Sequence, residues 1–407
     1  MQGKHLTLIF AGCAHAFSHF VILLFATVVL ALEGEWGLGY ADLQWLSVLG
    51  FVLFGVAALP AGWIADRWSQ AGMIGIFFFG VGLALLMVGL ATSPLGLMVG
   101  LTALGLFASI YHPVGIPWLV RNAANPGRAL GINGVFGSTG TALAPVVAGG
   151  LAQYFGWRMA FIAPGLVCLT LGLIYLWSLK RGHLQQAPAS AGSKPAYSGA
   201  QRLRVFLVLG ATVICTGLIY QSTAVALPKI IDERLGEVIG GVFAIGGIVT
   251  LAYIGSSVTQ VVGGELADRF PLKPIYVFAQ LSQIPAIYLA YRMQSPALVG
   301  ALILMVSLNT FGQPAENSLL ARYVPSDWQG RAFGVKFVLA LGVGALGVSL
   351  VPFVHGLFGN LDPLFLVLMG FAGLGSLAAL CLPPTPKGES PGEATAAVAA
   401  APAKPAE

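Results

Sequence analysis

Of 407 residues, 57% are apolar and only 9% charged, with a mean hydropathy of +0.85 and a formal net charge of +5. Soluble domains carry about a quarter of their residues as charged groups, so the composition excludes a soluble enzyme or nucleic-acid-binding domain and indicates a polytopic membrane protein. Cys13, Cys168, Cys215 and Cys381 lie far apart inside apolar runs without Cys-x-x-Cys spacing, which suggests neither a disulfide framework nor a zinc site.

A spanning helix needs about 20 mostly apolar residues. Uncharged runs from Leu6 to Leu32 and from Leu43 to Ala65 supply two. Trp68 to Val120 contains no Asp, Glu, Lys or Arg and is long enough for two more, hinged at Ser93-Pro94. Ala129 to Trp157 and Met159 to Leu179 complete six. Residues 182–204 then change to Gln, Ala, Pro, Ser, Gly and basic residues, the composition of a flexible linker. Six further spans follow, from Val205 to Pro228, Val238 to Gly264, Pro274 to Tyr291, Met293 to Ala315, about Ala332 to Leu357, and Pro363 to Leu382. The expected architecture is all-α, with one six-helix bundle over 1–180, a linker over 181–204, a second bundle over 205–384, and a tail over 385–407. The Pro, Ala and Glu composition of that tail reads as disordered.

Within the first span, His15 and His19 share one helical face. They lie roughly 16 and 22 Å beyond Lys4 at the helical rise, near mid-membrane, where polar side chains are costly and face a cavity or the bundle interior. Both are candidates for substrate binding or proton exchange, against the alternative of hydrogen-bonded packing residues. The second span ends in Gly62-Trp63-Ile64-Ala65-Asp66-Arg67, which returns 202 positions later as Gly264-Glu265-Leu266-Ala267-Asp268-Arg269. The fourth closes on Ser109-Ile110-Tyr111-His112-Pro113, where Pro113 and Pro117 break the hydrogen-bond ladder. His112, about 13 Å inside Arg121, is a third candidate. Asn133 opens a fifth span rich in glycine and small residues at close-packing spacing. In the second half, Gln313-Pro314 corresponds to His112-Pro113, Arg322 to Arg121, Gly330-Arg331 to Gly127-Arg128, and Lys336 to Asn133. Glu316 and Lys336 fall at similar depths and are close enough in depth to pair; the alternatives are a structural ion pair or Lys336 snorkelling to the cytoplasm, against substrate-anion binding by Lys336 or proton exchange at Glu316.

Basic residues are enriched in cytoplasmic loops. With both termini inside, fifteen of the twenty Lys and Arg face the cytoplasm, Arg158, Lys229, Arg234 and Arg292 lie near outer ends, and Lys336 alone remains within a span. Topology thus accounts for the positive charge without a nucleic-acid partner. The expected location is the inner, or plasma, membrane.

The two hexads, at equivalent loops of two hydrophobic halves, resemble the signature of the major facilitator superfamily, a match covering about 380 residues. The glycine-rich fifth helix resembles the antiporter signature of that superfamily, with Ala144-Pro145 in place of its Gly-Pro pair. His15, together with Ser109-Ile110-Tyr111-His112-Pro113, Arg121 and Gly127-Arg128-Ala129-Leu130, resembles the fosmidomycin-resistance type of exporter over about 60 residues. His19 and Val114 stand where that branch tends to carry acids. The resemblance implies two six-helix bundles with a midplane cavity and rocking alternating access.

On this reading His15, His19, His112, Asn133 and Lys336 bind substrate, and His15, His19 and Glu316 exchange protons. Asp66, Arg67, Arg121, Arg128, Asp268, Arg269, Arg322 and Arg331 gate the cytoplasmic side. A neutral-to-positive cavity favours a small organic anion or amphiphile. The leading expectation is a secondary transporter performing proton-coupled export; the alternatives are a proton-symport importer of an organic acid or nutrient and a non-transporting sensor with the same fold. A monomer without cofactor or metal is expected. Neither a Walker loop, a Gly-x-Gly-x-x-Gly opening a soluble unit nor a His-Glu-x-x-His motif is present, so no enzyme activity is expected.

Overall fold

The computed structural model describes residues 2–123, 126–184, 199–324, 332, 335–336 and 338–383. Residues 185–198 of the expected linker, the tail from 384 and the gate candidate Arg331 lie outside the described residues. Among the described residues there is no strand; the chain is a multi-pass membrane protein of long helices. In order these are α1 (Gln2–Trp36), α2 (Tyr40–Arg67, stepped at Ala57), α3 (Gln70–Gly89), α4 (Pro94–Asn122), α5 (Pro126–Phe155) and α6 (Met159–Lys180). The second half continues with α7 (Gly199–Leu235), α8 (Gly241–Arg269), α9 (Leu272–Arg292), α10 (Ala297–Tyr323), α11 (Val338–Phe358) and α12 (Asp362–Leu380).

Eleven of the twelve are long and apolar enough to span a bilayer on their own account. The twelfth, α9, is less apolar because it carries Gln280 and Gln283, each only 2% exposed. Their amides are satisfied inside the bundle: Gln283 donates to Gln280 Oε1 at 3.1 Å and accepts from Asn309 Nδ2 at 2.8 Å. Buried polar groups paired in this way do not oppose insertion as lone ones would.

Local chemistry sets several of the turns. Ser69 and Ser93 cap α3 and α4 by accepting from Gly72 N and Gly96 N, so the hinge expected at Ser93-Pro94 is a capped start with proline in the first turn. Gly156 and Gly359 adopt positive φ, +86° and +71°, at the turns before α6 and α12. Two spans run furthest past the C-terminal boundaries expected from charge. The helix expected to end at Ala315 continues to Tyr323, since Glu316, the charge that ended the apolar run, is buried and paired rather than looped out. Likewise α7 runs to Leu235, carrying Lys229, Asp232, Glu233 and Arg234 on its last turns.

The two halves pack by the same rule. In the first, α1 lies along α5, α2 along α4, and α3 against α4 and α6; in the second, α7 lies along α11, α8 along α10, and α9 against α10 and α12. Between them, α5 packs on α8 and α2 on α11, again equivalent pairs, while α1 meets α7. The hexad glycines obey this symmetry. A Cβ on Gly62 would lie 3.2 Å from Pro113 Cβ, and one on Gly264 3.8 Å from Pro314 Cβ. Each glycine lets its helix end approach the proline break of the neighbouring helix.

Candidate functional site

Away from the hexads, the halves are sealed against each other. Lys229 Nζ lies 2.9 Å from Glu33 Oε2 and 3.4 Å from Asp232 Oδ2. Beside it, the Tyr40 ring meets His355 at 4.9 Å between centroids, and His355 Nε2 is 3.0 Å from Glu233 Oε1. Gln153 Oε1 accepts from Phe243 N at 2.9 Å, and deeper in the seam Thr250 donates to Ala142 O at 2.6 Å. Glycines make this closeness possible: a Cβ on Gly149 would fall 2.5 Å from Val242 O.

The remaining depth, toward the hexads, holds a cavity of about 330 Å³ between the halves. Its lining comes from the middle of α1, α5, α7 and α8 and from the hexad-side parts of α4, α10 and α11. The cavity thus lies on the hexad side of the seal.

One wall carries three imidazoles. His15 and His19 project from successive turns of α1 with centroids 5.0 Å apart, and His112 from α4 lies 5.3 and 5.1 Å from them. His112 belongs to a π-helical turn, Tyr111–Gly115. Pro113 cannot donate to the α ladder, and the wider turn absorbs its ring. His15 is fixed by Asn133: Nδ1 lies 2.7 Å from the Asn133 carbonyl oxygen, and Tyr111 stacks on the ring at 4.8 Å while donating to Asn133 Oδ1 at 2.7 Å. Room for the ring comes from Gly137, where a Cβ would lie 2.6 Å from His15 Cε1. Asn133, 2% exposed, stands behind His15 rather than in the cavity lining.

The opposite wall carries the charge. Lys336 Nζ is 2.6 Å from Glu316 Oε1 and donates to Asn317 Oδ1 at 2.5 Å. Tyr276 donates to Glu316 Oε2 at 2.6 Å. Both carboxylate oxygens are therefore engaged, and Glu316 is only 5% exposed.

At the hexad face, Arg67 lies over the Trp63 ring of its own helix at 4.1 Å, and Arg269 pairs with Glu265 one turn before it. Asp66, Arg121 and Arg128 are exposed, as is Asp268. Arg322 is half-buried. The three imidazoles, Glu316 and Lys336, each expected from the sequence, line one cavity; the sequence does not point to Glu33, Tyr40, Glu233 or His355 as a seal, nor to Tyr276 and Asn317 as partners of the charged pair. Glu33 was legible only as an acid at the far end of the first span, without its partner.

The sequence profile described as "Major Facilitator Superfamily" matches residues 8–251 and 209–406. A "Probable 4-methylmuconolactone transporter" of Cupriavidus pinatubonensis is 26% identical over 411 residues, 95% of this chain and 92% of that one. The "4-hydroxybenzoate transporter PcaK" of Pseudomonas aeruginosa is 26% identical over 400 residues, covering 86% of each. Among solved structures, an inward-facing bacterial homolog of the human lysosomal transporter Spinster has a TM-score of 0.71 at 14% identity, covering 93% of this chain and 95% of that one.

Proposed function

The chain belongs to the Major Facilitator Superfamily, and from that premise we propose that it takes up a small ring-bearing carboxylic acid together with a proton. The transporters it resembles over nearly its full length are named for compounds of that size and kind. The observation that carries the reading is the Glu316–Lys336 pair in the cavity wall, 2.6 Å apart.

While Glu316 is ionised it occupies Lys336. A proton on Glu316 removes that hold and leaves the ammonium group to meet a carboxylate from the cargo, by the charge-assisted hydrogen bonding such groups favour. Proton and anion then bind in support of one another, which is the requirement of symport; antiport needs them to compete. With both aboard, the site has the net charge it had when empty, the Lys336–cargo pair standing in place of the Lys336–Glu316 pair. His15, His19 and His112 form the polar wall facing the remainder of the cargo, and Asn133 positions His15.

In this reading the hexads lie on the cytoplasmic side, and the exposed Asp66, Arg67, Asp268 and Arg269, with the loop arginines, close that side when the seal at Lys229 and Glu33 opens. Export, the expectation drawn from the fosmidomycin-resistance resemblance, uses the same cavity in the opposite sense. Proteoliposomes loaded with a pH dye separate the two. Addition of 4-hydroxybenzoate and related ring acids outside should acidify the lumen, and Glu316→Gln should abolish the proton signal while tracer exchange continues. Alkalinisation of the lumen would reverse the assignment to antiport.

A further inference from the structure

The three imidazoles form a closer and more regular group than a polar cavity wall requires. Their centroids make a near-equilateral triangle of 5.0, 5.1 and 5.3 Å, with planes inclined at 49°, 70° and 89° to one another. One ligand nitrogen from each lies within 4.8 Å of the other two. A tetrahedral first-row ion holds imidazole nitrogens at about 2.0–2.1 Å, which sets three ring centroids about 5 Å apart. The ring centroids thus already stand at about the required separation, and turning the rings so that their nitrogens close from within 4.8 Å to about 3.3 Å of one another would complete the site.

Backbone and partners support the same arrangement. His15 and His19 are four residues apart on one face of α1, the spacing by which a single helix presents two imidazoles to one ion. The third comes from the π-helical turn of α4, which aims His112 at them. Asn133 O lies 2.7 Å and Asn133 Nδ2 3.0 Å from His15 Nδ1; in the tautomer with the proton on Nδ1, the carbonyl accepts it and the Nε2 lone pair is left for the cluster. A backbone carbonyl on the distal nitrogen is the usual outer partner of a metal-ligating histidine. Tyr111 fixes both the His15 ring and the Asn133 side chain. All three histidines line the cavity, so a fourth coordination position faces solvent or cargo.

We propose that His15, His19 and His112 bind a divalent first-row transition ion of the zinc, nickel or cobalt class, with one open position directed into the cavity. Three neutral nitrogen donors select such ions over calcium or magnesium, which take oxygen ligands. The proposal stands whatever the organic cargo is, since it rests on this cluster alone.

The test uses the full chain, purified with a histidine-free tag and stripped by a chelator, titrated with Co2+ in the absence of any cargo. The expected result is saturation at one equivalent with the intense visible absorption of tetrahedral cobalt. His19→Gln and His112→Gln should each weaken binding by at least 100-fold, and Asn133→Ala, which keeps the backbone carbonyl on His15 Nδ1 and removes only the side chain that Tyr111 donates to, by no more than about tenfold. His355→Gln, on the opposite face, should leave the titration unchanged. Wild-type protein that gives no saturable tetrahedral signal overturns the proposal by itself, with no variant required. So does a signal that persists when His15, His19 and His112 are replaced together in protein that still elutes as a single species.

Discussion

Lys229 Nζ lies 2.9 Å from Glu33 Oε2, joining the last turns of α7 and α1 across the boundary between the two halves. The lysine side chain is 11% exposed and the glutamate 27%, so the pair is neither fully screened nor fully desolvated. Its loss should cost the sealed state about 1–2 kcal/mol, shifting the population toward opening at that face by roughly 5–30-fold. In a cysteine-free background, Thr250→Cys reports this: an impermeant maleimide applied from the face away from the hexads should label it several-fold faster in Glu33→Gln than in the parent. Equal rates would mean that Tyr40, His355 and the glycine seam hold the face shut without the ion pair.

At Glu316 and Lys336 the structural and functional roles can be separated. Lys336→Met leaves a carboxylate, 5% exposed, without its cation, a loss worth about 3–5 kcal/mol in buried pairs. Glu316→Gln made in addition should restore most of the thermal stability while leaving no carboxylate transport. If the double variant regains stability and transport together, the pair is only a tie between α10 and the segment before α11.

Gly137 and Gly134 both line the cavity, yet only one has a neighbour to displace. A Cβ at 137 meets the His15 ring at 2.6–2.9 Å, while one at 134 meets nothing within 4 Å. Gly137→Ala should therefore turn His15 away from Asn133 and lower transport by about tenfold, a penalty of the order of overpacking at roughly 1–3 kcal/mol. Gly134→Ala should leave transport within twofold and gain slightly in stability from helix propensity, by up to about 1 kcal/mol.

The hexad glycines are predicted to differ despite their equivalence. Alanine at 62 comes 3.2 Å from Pro113 Cβ, where a ring at a helix break has little freedom, whereas alanine at 264 comes 3.8 Å from Pro314 Cβ, an ordinary contact. Gly62→Ala should lower the melting temperature measurably, at about 1 kcal/mol, and Gly264→Ala should not. A pattern with the larger effect at 264 would place the constraint outside these contacts.

Charge neutralisation at the hexads addresses the gate. Asp66→Asn and Asp268→Asn should each slow exchange of accumulated cargo several-fold while leaving equilibrium cargo binding unchanged. On the proposed mechanism the acids act only when the hexad face closes. Binding that weakens in parallel with exchange would instead place them in a structural role.

The repeat was plain in the chain itself. Two hexads 202 residues apart, with Pro113 and Pro314 51 and 50 residues after their first glycines, specify two equivalent bundles, because apolar length and charge-free runs are properties of contiguous sequence. The depth of His15, His19, His112, Glu316 and Lys336 was legible for the same reason: helical rise converts residue number into distance from a loop. What rise cannot give is rotation and closure between helices distant in the chain. Whether Asn133 faced the cavity or stood behind His15 depended on how α5 turned against α1, which Gly137 and Gly140 decide by contact. The union of His112 with two residues nearly a hundred positions earlier, and of Lys229 with Glu33 across 196, needed the packed bundle. Sequence thus determined the fold, its repeat and the residues placed at membrane depth; only the tertiary structure decided which of them meet, because meeting depends on helix rotation set by side-chain packing.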